Sequence, residues 1–486
     1  MMPTDTSCNV ATLSIYTPSS SNPWNKQKVN HLYRRIGFGA SSSMMTEALT
    51  KTPSSLVDQL VQEALDLVPT AAPRWGYWVR DQFLRSSTTP PEYKRIWKTQ
   101  IIDDLSKNNL RDRLTLFWSN HFVTEELVYQ SPAYMFQYYN LLQLHALGNF
   151  KAFVKDIGLS SAMLVYLNGF ESTKNDPNEN YARELYELFT LGVDNGYDQN
   201  DIIETSRALT GWNKEDKRWG PILFDTDNFD DGTKTIFGQT GNWGYDDVID
   251  ILFTQRTDQI AKFICKKLYR YFISPNSNET IINQLATTFV DNDFEIAPVM
   301  KQLFKSEHFF DEKSIGVIIK SPIDIQVSFL KELDFKFASS FNVNSIVRGG
   351  SINLGQDVMN PIDVAGWQGD TDWIDSSSLT TRWDLISRYL SAAWVHNQEQ
   401  FRTIAKEIIE GNSNDVELVS RSIMDYFFSR ELVSETDYSQ ALVIFKDQVP
   451  ENYFEDGTWD LDWDTAPRQV FQLLKFLIKI PEFQLK

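Results

Sequence analysis

Apolar residues recur three and four positions apart over most of the chain, the spacing that keeps one face of an α-helix apolar. KQKVNHLYRRIGFG reads as a helix closed by Gly37, Ser41 and Ser43 offer N-caps for MMTEALTK, and Ser54 and Ser55 do so for LVDQLVQEALDLV. The period runs on through PEYKRIWKTQIIDDL, LRDRLTLFWSNHF, SPAYMFQYYNLLQLHAL and FKAFVKDIG. It continues in NENYARELYELFTLG, ended by Gly192, and in DQNDIIETSRALTGW, ended by Gly211. Between residues 213 and 244 it dissolves into a stretch rich in Gly, Asp and aromatics, where we expect a long ordered excursion with a short hairpin, acting as a loop or lid. Helices resume with DVIDILFT and DQIAKFICKKLYRYFI and lapse again over 349–378 before returning to the end.

The expected fold is therefore all-α, a large multi-helix body with two long irregular Gly/Trp-rich segments. It divides into an extended arm (1–26), an N-terminal helical region (27–212), the 213–244 excursion, a middle helical region (245–348), the 349–378 segment and a C-terminal helical region (379–486), expected to form one continuous domain. One internal echo stands out: YRYFISPNSNETIINQLATTF resembles MDYFFSRELVSETDYSQALVIF, as in a diverged helical repeat.

Charge narrows the partners. With 46 basic and 65 acidic side chains among 486 residues, the formal charge is −19. That balance disfavours nucleic acid and anionic membrane as partners, and no basic patch is visible. No apolar run is long enough to span a bilayer. The first thirty residues lack the pattern of a secretory signal, so a cytoplasmic protein is expected. Cys8 and Cys265 make neither a disulfide framework nor a zinc site.

Candidate chemistry centres on the helix at 178–191. Glu179, Arg183 and Glu187 form a stripe at i, i+4 and i+8, with Glu184 to one side. Such a stripe is either a solvated face laced with ion pairs or a carboxylate cluster in a cleft, Arg183 holding one acid ionised while another is desolvated and protonated. His121, beside Asn120 at the end of FWSNHF, is a candidate base or cation ligand, with a packed core histidine as the alternative. Trp212, Trp243, Trp367 and Trp373 border the irregular segments, where flat rings either anchor loops or stack on sugar rings. The acidic run Asp225 to Asp231 fails as an EF-hand because Gly238 stands where a bidentate Glu is needed. IGFGASS follows a helix where a dinucleotide fold requires a strand, and GGSIN lacks the last Gly of a nucleophile elbow. No cofactor and no metal are expected.

HLYRRIGFGAS at 31–41, RDRLTLFWSNHFVT at 111–124, NENYARELYELFTLGV at 178–193, RALTGW at 207–212, DDGTKTIFGQTGNW at 230–243 and NPIDVAGWQGDTDWI at 360–374 together resemble a bacterial family catalogued as domain of unknown function 1800. The resemblance runs the length of the chain and supplies no catalytic assignment. It implies a setting of polysaccharide processing, beside a sulfatase-like or phosphatase-like partner family. The family commonly has His where this chain has Ser119 and Phe229, so a two-histidine metal site is not carried over. The leading expectation is a hydrolase acting on a polar polymer such as a glycan through paired carboxylates among Glu179, Glu184 and Glu187. The alternatives are a non-catalytic binding or scaffold protein working with a partner enzyme, and a divalent-metal protein using His121 with those acids.

Overall fold

Helix ends follow the side chains that can satisfy a first-turn N–H. Asn25 accepts from the Lys28 N–H to start Lys26–Ile36, and Ser41 does the same from Met44 for Ser42–Leu49. The next helix begins two to three residues earlier than expected: Thr52 is its cap and Pro53 its first residue, where a missing N–H costs nothing. The computed structural model describes residues 12–107, 110–432, 434–447 and 449–486, and the expectations for Cys8 and for the first part of the arm lie outside them. Among the described residues there are 24 α-helices and two small two-stranded sheets, so the fold is all-α. No helix among them is long and apolar enough to cross a membrane.

The 213–244 excursion contains two antiparallel pairs, Lys214–Glu215 with Ile222–Leu223 and Lys234–Ile236 with Gln239–Gly241. The second is fastened to the Gln199–Ala208 helix, since the Phe237 N–H donates to Asp201 (2.8 Å) and the Thr235 N–H to Glu204 (2.9 Å). Phe237 also meets the Tyr186 ring, with centroids 5.2 Å apart. The second irregular segment is shorter than the pattern suggested. Gly349 and Gly350 lie inside a helix, Val343–Asn353, and a Cβ at Gly350 would stand 2.5 Å from the Gln326 side-chain oxygen, so glycine lets this helix approach Pro322–Leu333 closely.

The RRIGFG run is structural. Arg34 and Arg35 are fully buried and reach opposite parts of the molecule. Arg34 forms a forked pair with Glu332 (2.7 and 2.9 Å) and donates to the Phe427 carbonyl (2.9 Å). Arg35 donates to the carbonyls of Phe272 (3.2 Å), Ser314 (3.0 Å) and Lys486 (2.8 Å). Phe272 and Phe427 are the last residues of the helices Thr257–Phe272 and Val416–Phe427, at matching positions of the two echoed sequences. Adjacent arginines of one helix thus satisfy the orphan carbonyls at the ends of two corresponding helices.

Candidate functional site

A cavity of about 250 Å³ opens where the Leu110–His121 helix, the end of Thr257–Phe272, the start of Pro322–Leu333 and the 365–373 segment meet. Its polar wall carries Lys267, Arg270, Asp324, Asp370 and Lys486. Trp367 and Trp373 line the side formed by the irregular segment.

That segment is pinned by Asn120. Its side-chain oxygen accepts from the Trp367 N–H (2.7 Å) and its amide donates to the Trp367 carbonyl (2.9 Å), two strand-like bonds from one side chain. The approach is close enough to require Gly366, at φ +76°, where a Cβ would lie 2.4 Å from the Asn120 oxygen. The Trp367 indole N–H is buried with no hydrogen-bond partner among the described residues. A buried donor of that kind is costly until an acceptor arrives.

Lys267 and His121 share the opposite wall. The His121 Nε2–H donates to the Phe189 carbonyl (3.0 Å), which fixes Nδ1 as the acceptor for the Lys267 ammonium (3.0 Å), and Lys267 donates also to the Leu188 carbonyl (3.2 Å). Both carbonyls belong to a π-turn, Leu185–Thr190, that continues the Glu179–Glu184 helix and leaves its last carbonyls without helical partners. Burial first, then the Lys267 charge, holds the His121 imidazole well below its ordinary range. Burial, reinforced by Arg270, brings the Lys267 amine down to about 8.

Asp324 is fully committed. It takes bonds from Arg113, from the Lys486 ammonium (2.6 Å) and from the Ser321 N–H (3.0 Å), and despite burial these cations hold its carboxyl far below the usual range. Lys486 is itself lowered to about 7 by burial. Asp370 is the other acid of the wall; burial raises it, against a hydrogen bond from Thr371 and the charge of Arg270. Arg270 lies exposed at the opening and forms no ion pair among the described residues.

Of the residues the sequence singled out, the cavity gathers His121, Asn120, Trp367 and Trp373. Glu179, Arg183 and Glu187 form an ion ladder on a partly exposed face, with Arg183 3.1 Å from Glu179 and 3.3 Å from Glu187. Glu184 is half-buried and raised by burial and by Glu187, against Arg183. None of these four lines the cavity; their helix meets it indirectly, through the Phe189 and Leu188 carbonyls that hold His121 and Lys267. Trp212 packs on Phe224 (5.3 Å) and Tyr245 (6.2 Å), and the Trp243 N–H donates to the Gln239 carbonyl (3.0 Å), so both rings are held by the excursion they border. The 349–378 segment packs on the Leu110–His121 and Pro322–Leu333 helices, through Asn120 and through the Gln356 oxygen that accepts from the Ile323 N–H (2.9 Å). No group of His, Cys, Asp and Glu among the described residues has the arrangement of a metal site.

Sequence reasoning passed over Lys267, Arg270, Asp324 and Lys486. One signal for Lys267 was there: with Ile260, Ile264 and Tyr271 it completes a spacing of four, three and four, which places a lysine on the buried stripe of its helix. Asp324 and Lys486 lie 162 positions apart and carry no local sign of pairing.

Comparison with curated proteins and with solved structures gives no match. A family model does match, described as "Protein of unknown function (DUF1800)" and extending over residues 31–485. With the match covering nearly the whole chain and every residue of the cavity except Lys486, the chain belongs to the DUF1800 family.

Proposed function

We propose that this protein acts on a polar polymer carrying anionic sugar units, and that one such unit enters the cavity beneath Trp367 and Trp373. The observation that carries the reading is an excess of donors. In a chain of net charge −19, Lys267, Arg270, Lys486 and, behind Asp324, Arg113 outnumber Asp324 and Asp370, and the Trp367 indole N–H has no partner among the described residues. A concave wall carrying more cations than acids favours a carboxylate or sulfate, and the tryptophan faces suit the C–H face of a sugar ring. The volume is below the roughly 300–1,000 Å³ of sites for drug-sized ligands, which fits a single ring with the rest of the polymer outside.

Titration calorimetry of uronic or sulfated oligosaccharides against neutral ones tests this. Arg270→Gln, at an exposed site, is expected to weaken anionic ligands about tenfold or more, the loss of one charge-assisted hydrogen bond, without changing Tm. Equal binding of neutral and anionic oligosaccharides would refute the reading, and tight binding with no turnover of any polymer would favour the non-catalytic binding protein.

A second reading, hydrolysis by paired carboxylates, is supported by Glu184 and Glu187. Burial and the neighbouring Glu187 raise the Glu184 carboxyl, while Arg183 bonds Glu187 (3.3 Å). Glu184→Gln separates the two: it should abolish turnover under this second reading and leave anionic binding untouched under the first.

A further inference from the structure

The surroundings of Lys267 define a direction for its remaining bond. Of the four tetrahedral positions at Nζ, one is the carbon stem, and His121 Nδ1 (3.0 Å) and the Leu188 carbonyl (3.2 Å) take two hydrogens. The fourth carries no hydrogen bond among the described residues, on a side chain that lines the cavity. In the ammonium it holds a hydrogen; in the free amine it holds the lone pair, and neither of the two fixed hydrogen bonds is lost in the change. His121 cannot relieve Lys267 of its proton. Its Nε2–H is committed to Phe189, and a buried imidazolium would sit among Trp118, Phe122 and Phe189, with ring centroids 4.5 to 6.2 Å away. The groups facing Lys267 are thus His121 and the Leu188 carbonyl, the Phe263 ring (4.8 Å), Arg270 on its own helix, and, on the shared cavity wall, Asp370 and the Asp324–Lys486 pair.

Tyr271, one turn further along the same helix, also lines the cavity. Its ring lies under the Arg113 guanidinium (4.9 Å) and near Lys486 (5.6 Å), and burial keeps the phenol protonated to well above its ordinary range. Such a phenol gives a proton more readily than it takes one from a carbon.

Resting on the anionic-sugar reading above, we propose that the ligand class is a uronate-containing glycan and that Lys267 is the base of a β-elimination, with Tyr271 as the acid. The Lys267 amine takes the proton from the ring carbon bearing the carboxylate. The C–H electron pair forms a double bond to the neighbouring ring carbon, whose C–O bond to the next sugar breaks. The departing oxygen receives the Tyr271 proton. Products are an unsaturated uronate end and a free hydroxyl, and proton exchange with water restores Lys267 and Tyr271; no oxidant or reductant is needed. Arg270 supplies donors for the carboxylate, whose neutralisation acidifies the carbon. With the free amine appearing as pH rises through about 8, the rate is expected to climb on the alkaline side of neutrality.

The test is the ultraviolet absorbance of unsaturated uronate formed by the full-length chain from polygalacturonate, alginate or chondroitin oligosaccharides, beside calorimetric binding of the same oligosaccharides. Lys267→Arg keeps the cation and is expected to bind within about threefold of the parent while product falls about 100-fold or more, the scale of a lost general base. Tyr271→Phe is expected to slow product formation while keeping the alkaline rise. Binding by the parent protein without any unsaturated product overturns the elimination and leaves the anionic-sugar reading standing, as does product undiminished in Lys267→Arg. Absence of binding overturns both.

Discussion

Asn120 shows how much one side chain decides. Both ends of its amide hold the Trp367 backbone, and Gly366 gives it the room to do so. Asn120→Ala removes both bonds and leaves a partly buried N–H and C=O unmet, for an expected loss of about 1–3 kcal/mol. The urea midpoint measures the loss, and limited proteolysis should show new cleavage between residues 365 and 373 rather than elsewhere. Asn120 was visible in the sequence as a polar residue beside His121 and Trp118. Its partner was not, because 247 positions separate it from Trp367 and no local pattern encodes a contact across that distance.

At the scale of an element, the helix over 178–191 was the most polar-dense in the chain, and its side chains drew the chemical interpretation. Its contribution to the cavity comes from the other end of the physics: the π-turn and the helix terminus expose the Leu188 and Phe189 carbonyls, and Lys267 and His121 satisfy them. Helical periodicity reports which face a side chain occupies and says nothing of a ladder that slips by one residue. The same contacts set a pH dependence. His31, held below its ordinary 6.5 chiefly by burial, and His121 are both neutral in the fold, whereas the unfolded chain protonates them below about 6.5. Protons then bind the unfolded state preferentially, so stability present above pH 6.5 is lost as pH falls, by about 1.4 kcal/mol per pH unit for each histidine. Urea unfolding at pH 7 and pH 5 measures this, and replacing His31 by Gln is expected to flatten the slope. Asp324, depressed by Arg113 and Lys486, continues the loss below its ordinary 3.8.

Across the whole molecule, the all-α fold was legible because helical period and capping residues agree along the chain. What period and caps could not reveal is how the halves are joined. Arg34 and Arg35 look like a basic helix end in the sequence; in the fold they are buried and end two helices that stand at matching positions of the echoed stretches. Arg34→Met strands the Glu332 carboxylate in the interior, and a loss of about 3–5 kcal/mol is expected in urea unfolding. The two irregular segments likewise looked alike in sequence, rich in Gly and Trp, yet one becomes paired strands over the Gln199–Ala208 helix and the other becomes a wall of the cavity. The strongest single test of that cavity is the structure of the protein bound to a uronic or sulfated oligosaccharide. The expected result places the acidic group between Lys267 and Arg270, with a sugar ring against Trp367 or Trp373. A sugar lying instead along the helix of Glu184 and Glu187, with the cavity empty, would contradict it.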